Sequence, residues 1–182
     1  MKELSLNVLD IAQNSVTAGA TLISIDTVEE PAADLLTISV TDNGKGMSRE
    51  FAERVTDPFC TTRTTRKVGL GIPLFKMAAE MAGGHFSIES EPGRGTKVTA
   101  TFVLSNVDRM PIGDMEGTVS ALIQMNPGLD FVYHRARGDK SFTLDTRELR
   151  SMLEDVPLDT PEVGAWIRDY LAENLAQLYT ST

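Results

Sequence analysis

Apolar positions along the chain change period several times, and each change predicts an element. Over residues 3–18, Leu4, Val8, Ile11, Ala12, Ser15 and Val16 recur at spacings of three and four. That pattern predicts a helix with a wide apolar or small face, ending at Gly19 as a left-handed cap. A polar stripe of Glu3, Asn7, Asp10, Asn14 and Thr17 follows the same spacing. Period two takes over in Thr21–Val28, with Ile23 and Ile25 on one side, and again in Leu35–Val40, so both read as strands, linked through Pro31. Ser48 predicts the cap of a helix carrying Phe51 and Val55, with Glu50 and Arg54 paired one turn apart. Gly69 and Gly71 open a further helix, Leu70–Met81, whose first turn tolerates Pro73. Beyond Gly83 and Gly84, residues His85–Ser90 and Thr96–Leu104 predict a hairpin turning at Glu91–Gly95. Helices and strands in this order predict an α/β two-layer sandwich with a mixed, mainly antiparallel sheet rather than a βαβ array.

Periodicity lapses after Ser105, where Pro111 and Gly113 interrupt the pattern. Residues 1–104 are therefore expected to form one domain and residues 105–182 a small α/β C-terminal extension. The extension reads as a helix at Met115–Met125 and a hairpin of FVYHRA and SFTLD turning at Arg137–Lys140. A short helix at Arg147–Leu153 follows. The last helix is capped by Thr160, with Pro161 at its first position and Trp166, Tyr170 and Leu171 inward. The extension carries no catalytic motif. It is expected to bind a partner or a second copy, or to cap the sheet of the first domain.

Composition narrows the classes. A formal net charge of -9 argues against a general nucleic-acid binder, which needs a basic face. No apolar run approaches a membrane span and no signal peptide opens the chain. One cysteine, Cys60, excludes an internal disulfide and fits a reducing cytoplasm.

Candidate chemistry concentrates between Asp42 and Gly71. A carboxylate closing a strand accepts a hydrogen bond from an exocyclic amine such as that of adenine. Gly44 and Gly46, in the run DNGKGM, let a flat ring approach bare backbone. The N–H groups and positive dipole end of the Gly69–Gly71 helix start suit phosphate. Read alone, DNGKGM is equally an ordinary turn, and the basic loop Arg63–Lys67 a solvated one. The stripe on the first helix is either a solvated face or a source of carboxamide and carboxylate oxygens for Mg²⁺ beside phosphate. Cys60 reads as a small packing residue before it reads as a reactive thiol.

Taken together, these segments resemble the GHKL, or Bergerat-fold, ATPases: histidine-kinase catalytic domains, anti-sigma-factor kinases, gyrase B and MutL proteins. DIAQNSVTAGAT (Asp10–Thr21) resembles the N box, in its MutL form. DNGKGM is similar to the first glycine box, and DPFCTTR (Asp57–Arg63) to the lid entry of histidine kinases. VGLGIPLFKMAAEMAGG (Val68–Gly84) resembles the second glycine box and its helix, and GRGTKVTATF (Gly93–Phe102) the closing strand. The resemblance covers residues 1–104 and implies ATP and Mg²⁺ as ligands. It implies that Asn14 holds Mg²⁺, that Asp42 receives the adenine amine, and that Gly44 and Gly46 shape the adenine floor. Gly69, Leu70 and Gly71 would meet phosphates, Thr96 would support the adenine contact, and Thr62, Arg63, Arg66 and Lys67 would reach phosphate from the lid.

Two departures bear on activity. Asp10 stands where MutL-type ATPases have a glutamate base, one methylene longer. The N box also opens the sequence, so the chain is expected to lack the helical domain on which histidine kinases carry their phosphoacceptor. Its two histidines, His85 and His134, read as structural or surface residues. The resemblance therefore implies a histidine-kinase-like regulatory protein transferring phosphate to a partner protein, with Asp10 as its base. A slow ATPase acting as a conformational switch and a non-catalytic ATP-binding scaffold are the other readings. Similar stand-alone proteins with a related extension occur in anaerobic bacteria, some encoded near iron hydrogenases, which points to a redox-linked partner.

Overall fold

The computed structural model describes residues 2–57 and 70–180. Six strands form one mixed sheet: β1 (Leu22–Glu30), β2 (Leu35–Asp42), β3 (Phe86–Glu91), β4 (Gly95–Val103), β5 (Asp130–Arg137) and β6 (Lys140–Asp145), in the order β3-β4-β2-β1-β5-β6. Helices α1 (Leu4–Thr17), α2 (Arg49–Val55), α3 (Gly71–Met81), α4 (Met115–Met125), α5 (Thr146–Leu153) and α6 (Pro161–Leu178) complete the fold. α1 packs on both α3 and α4, and α4 on α6. Period-two burial in β1 explains the layering. Ile23, Ile25, Thr27 and Glu29 are buried while the residues between them are only half-buried, so one face of the sheet meets the core.

The antiparallel pairs include three between consecutive strands and one long-range pair, β2 with β4. Ile23 lies opposite Asp42 on β1 and β2, and Asp42 lies opposite Thr96 on β2 and β4. The parallel pair is not local: β5 lies along the other edge of β1, with Leu22 opposite Asp130 and Glu29 opposite Arg137. The segment from residue 105 onward thus adds two strands to the same sheet, and its Phe131, Tyr133, Leu122 and Ile167 belong to the same core cluster as Val8, Ile25 and Phe75. The segment also closes the start of α1. Leu4 and Ser5 donate their N–H groups to the carbonyls of Pro111 and Ile112, each at 2.9 Å, which satisfies two donors that a helix leaves open.

A buried polar network joins the extension to β1. Glu116 Oε2 accepts from Tyr133 OH and from Arg135, both at 2.7 Å. Arg135 also donates to Tyr179 OH at 3.1 Å, and Tyr179 donates to Glu29 Oε2 at 2.6 Å. Burial pushes the Tyr133 hydroxyl far above its ordinary range, with Glu116 adding to the effect. Tyr179 is raised for the same first reason and then by its bond to Glu29.

Two local expectations are corrected. Trp166 is 44% exposed rather than inward, because Val163, Ile167, Leu171 and Leu178 occupy the inward stripe of α6; it stacks on Tyr170 with centroids 5.1 Å apart. On α2 the ion pair joins Arg49 to Glu53 at 3.6 Å rather than Glu50 to Arg54. Ser48 caps α2, and Thr160 caps α6, through their side chains as expected.

Candidate functional site

Asp42, the last residue of β2, has both carboxylate oxygens engaged. Ser15 Oγ donates to Oδ2 at 2.6 Å and the Gly44 N–H donates to Oδ1 at 2.8 Å. Each oxygen keeps acceptor capacity for one more donor. The following turn is pinned on both sides. Asn43 Oδ1 accepts from the N–H groups of Thr21 and Leu22, and Lys45 donates its N–H to Ala18 O. Gly46 has φ +70°, and a Cβ there would run into the carbonyl of Glu91, so only glycine fits.

Ser90 anchors the same turn from β3. Its Oγ accepts from Met47 N–H at 2.8 Å and donates to Gly95 O at 3.0 Å. With that proton committed, the 2.8 Å contact to Thr96 Oγ1 has Thr96 as donor. Thr96 is thereby held opposite Asp42 in the β2–β4 register.

Along the polar stripe of α1, Asp10 lies against the start of α3, Asn7 is buried, and Thr17 alone is exposed. A Cβ on Gly71 would lie 2.7 Å from Asp10 Cβ, so the glycine is what lets the start of α3 approach Asp10. Burial raises the Asp10 pKa above the ordinary carboxylate value. Asn14 is half-buried, and its Nδ2 has no partner among the described residues, so its amide is not committed to the protein. Leu70, expected as the first residue of this helix, instead precedes its first turn as the N-cap residue. No acidic side chain in that first turn offsets the positive end of the helix.

Asp10, Asn14, Asp42, Gly44, Gly46, Leu70, Gly71 and Thr96 thus fall on four segments that meet around the end of β2 and the start of α3. Thr62, Arg63, Arg66, Lys67, Gly69 and Cys60 lie outside the described residues. Sequence reasoning missed Ser15, Asn43 and Ser90. Ser15 read as a small residue on the apolar face, and its position directly after Asn14 was the available signal.

Among the described residues no group of three or more His, Cys, Asp or Glu side chains could hold a metal ion alone. An uncommitted carboxamide such as that of Asn14 nevertheless fits Mg²⁺, which takes few protein ligands and completes its shell with phosphate oxygens and water. No helix among the described residues is long and apolar enough to cross a membrane.

Residues 1–106 match the family of histidine kinase-, DNA gyrase B-, and HSP90-like ATPases. Sporulation kinase D of Bacillus subtilis is 37% identical over 106 residues, covering 58% of this chain and 20% of that protein. The non-motile and phage-resistance protein of Caulobacter vibrioides is 32% identical over 115 residues, covering 60% of this chain and 14% of that protein. The match therefore spans a fifth or less of these relatives' length. Among solved structures, the Aquifex aeolicus MutL ATPase domain complexed with ADP is similar with a TM-score of 0.50 and 17% identity, covering 85% of this chain and 68% of that one. The N-terminal domain of a DNA repair protein gives 0.53 and 13%, covering 80% and 53%. At these identities the likeness is one of fold: a mixed α/β two-layer architecture with a mixed sheet.

Proposed function

The chain belongs to the histidine kinase-, DNA gyrase B-, and HSP90-like ATPase family, and on that premise we propose that it binds Mg-ATP and transfers the γ-phosphoryl group to a partner protein. The observation that carries this reading is the convergence on Asp42. Its carboxylate is fixed by Ser15 from α1 and by Gly44 from the turn, while the same α1 presents Asp10 against Gly71. One end of the site then suits adenine, through a fixed acceptor over glycine backbone. The other suits phosphate, through the N-terminus of α3, whose own first turn carries no acidic side chain. Asn14 would hold Mg²⁺, which would neutralise phosphate charge there.

In the transfer, an acceptor on the partner forms a bond to the γ-phosphorus as the bond to the β–γ bridging oxygen breaks and ADP leaves. Asp10 would take the acceptor's proton. The likeness to Sporulation kinase D supports the phosphotransfer reading. A second reading, slow hydrolysis operating a conformational switch, is favoured by the partly buried carboxylate of Asp10, whose raised pKa suits a base. Thr62, Arg63, Arg66 and Lys67 complete the proposal as phosphate contacts, with Gly69.

Calorimetry with Mg-ATP tests binding. Labelled ATP added to the pure protein and then to host lysate separates the two activities. Label on one lysate protein, lost in Asp10→Asn, supports transfer. Free phosphate without labelled protein supports the switch, and no binding removes both.

A further inference from the structure

Asn7 is the one member of the α1 stripe that is fully buried, at 0% exposure. Among the described residues, neither its Nδ2 nor its Oδ1 has a hydrogen-bond partner. A buried carboxamide with both ends open destabilises a fold, and an apolar side chain of similar size would remove the penalty. Such exceptions to local consistency concentrate at functional sites.

Within the stripe only Glu3 and Asp10 are carboxylates, one turn to either side. Glu3 is held elsewhere: its Oε1 accepts from Ser5 Oγ at 2.7 Å and from the Asp114 N–H at 3.5 Å, and its side chain lies against Gly113. Asp10 is not occupied in this way. It lies three residues on, the spacing at which helical side chains become neighbours. Its Cβ is confined by Gly71.

We infer that Asn7 is a positioning residue: when nucleotide binds, its Nδ2 donates to the Asp10 carboxylate and turns it toward the phosphoryl acceptor. This rests on the Mg-ATP reading above. It supplies what a short base needs, a third group that orients it.

Two measurements test the inference. In the full-length protein, the side-chain amide of Asn7 is followed by NMR with and without Mg²⁺ and a non-hydrolysable ATP analogue. One Nδ2 proton is expected to shift and exchange about tenfold more slowly with the analogue, and to do neither in Asp10→Ala. Asn7→Leu is expected to melt at a higher temperature and to keep ATP affinity within about twofold, while losing about 10- to 100-fold in phosphoryl turnover. Combining it with Asp10→Asn should add no further loss, as for two groups acting as one unit. An Asn7 amide that responds alike with and without Asp10, or losses that multiply in the double variant, overturns the inference. If the analogue leaves every amide unmoved, Gly44 and Gly71 included, the Mg-ATP reading itself falls and takes the inference with it.

Discussion

Ser15 Oγ lies 2.6 Å from Asp42 Oδ2, one residue beyond Asn14 on α1. A single hydrogen bond therefore ties the helix that would carry the metal ligand and base to the strand that would carry the adenine acceptor. The two ends of the proposed nucleotide site are thereby joined.

Asp42→Asn should weaken ATP binding by about 1–3 kcal/mol, because an amide presents a donor where two donors already converge. Ser15→Ala should weaken it less, by about 0.5–1.5 kcal/mol, since Gly44 still holds the carboxylate. Calorimetry on the two variants gives the ranking. Unchanged affinity in Asp42→Asn removes the adenine assignment.

Asn14→Ala should reduce affinity for Mg-ATP more than for metal-free ATP, because it deletes an oxygen ligand of the ion. Its amide nitrogen has no partner among the described residues, so little stability should be lost with it. Equal losses with and without Mg²⁺ would assign Asn14 to something other than the metal.

Asp10→Asn should bind ATP and keep only a residual phosphate release. It should also change stability with a definite sign. Burial raises the folded-state pKa of Asp10, so the charged form is penalised in the native state. The penalty is absent below the unfolded value and grows as pH rises through the folded one. The variant should therefore melt higher than the unmodified protein near pH 7, and the gain should vanish near pH 3. A gain independent of pH, seen in thermal melts across that range, contradicts the assignment of burial as the cause.

Arg135→Met should destabilise the protein by about 3–5 kcal/mol, because it leaves the Glu116 carboxylate buried beside Tyr133 without its cation. Adding Glu116→Gln should recover most of the loss, since a neutral amide oxygen still accepts from Tyr133. Urea unfolding of the single and double variants provides the comparison. A double variant as unstable as the single would mean that lost packing, and not stranded charge, dominates.

Much of the site was legible because its chemistry is local. Asp42 and Gly44 lie within one turn, and Asp10 and Asn14 lie within one turn of one helix. What stayed hidden depended on contacts between distant segments. In the sequence Asn7 is indistinguishable from a solvated stripe, because its complete burial comes from packing by other segments. Trp166 reads as inward by residue type, but the Val163–Ile167–Leu171 stripe beside it takes the buried face of α6. The hairpin of residues 130–145 was readable from period two. Its attachment to β1 was not, because alternation shows that a strand has two faces without saying which edge it joins.

The parallel seam between β1 and β5 also sets an order on synthesis. β1 emerges early and acquires β2 at once, but its other edge stays bare until residues as late as Arg137 have left the ribosome. An uncovered central strand is a template for pairing with a neighbouring chain. The stretch matching the ATPase family is thus a poor candidate for transplantation as a module. Cut at residue 106, it would expose a strand that the intact molecule keeps in the middle of its sheet, and the nascent chain passes through that same vulnerable state each time it is made.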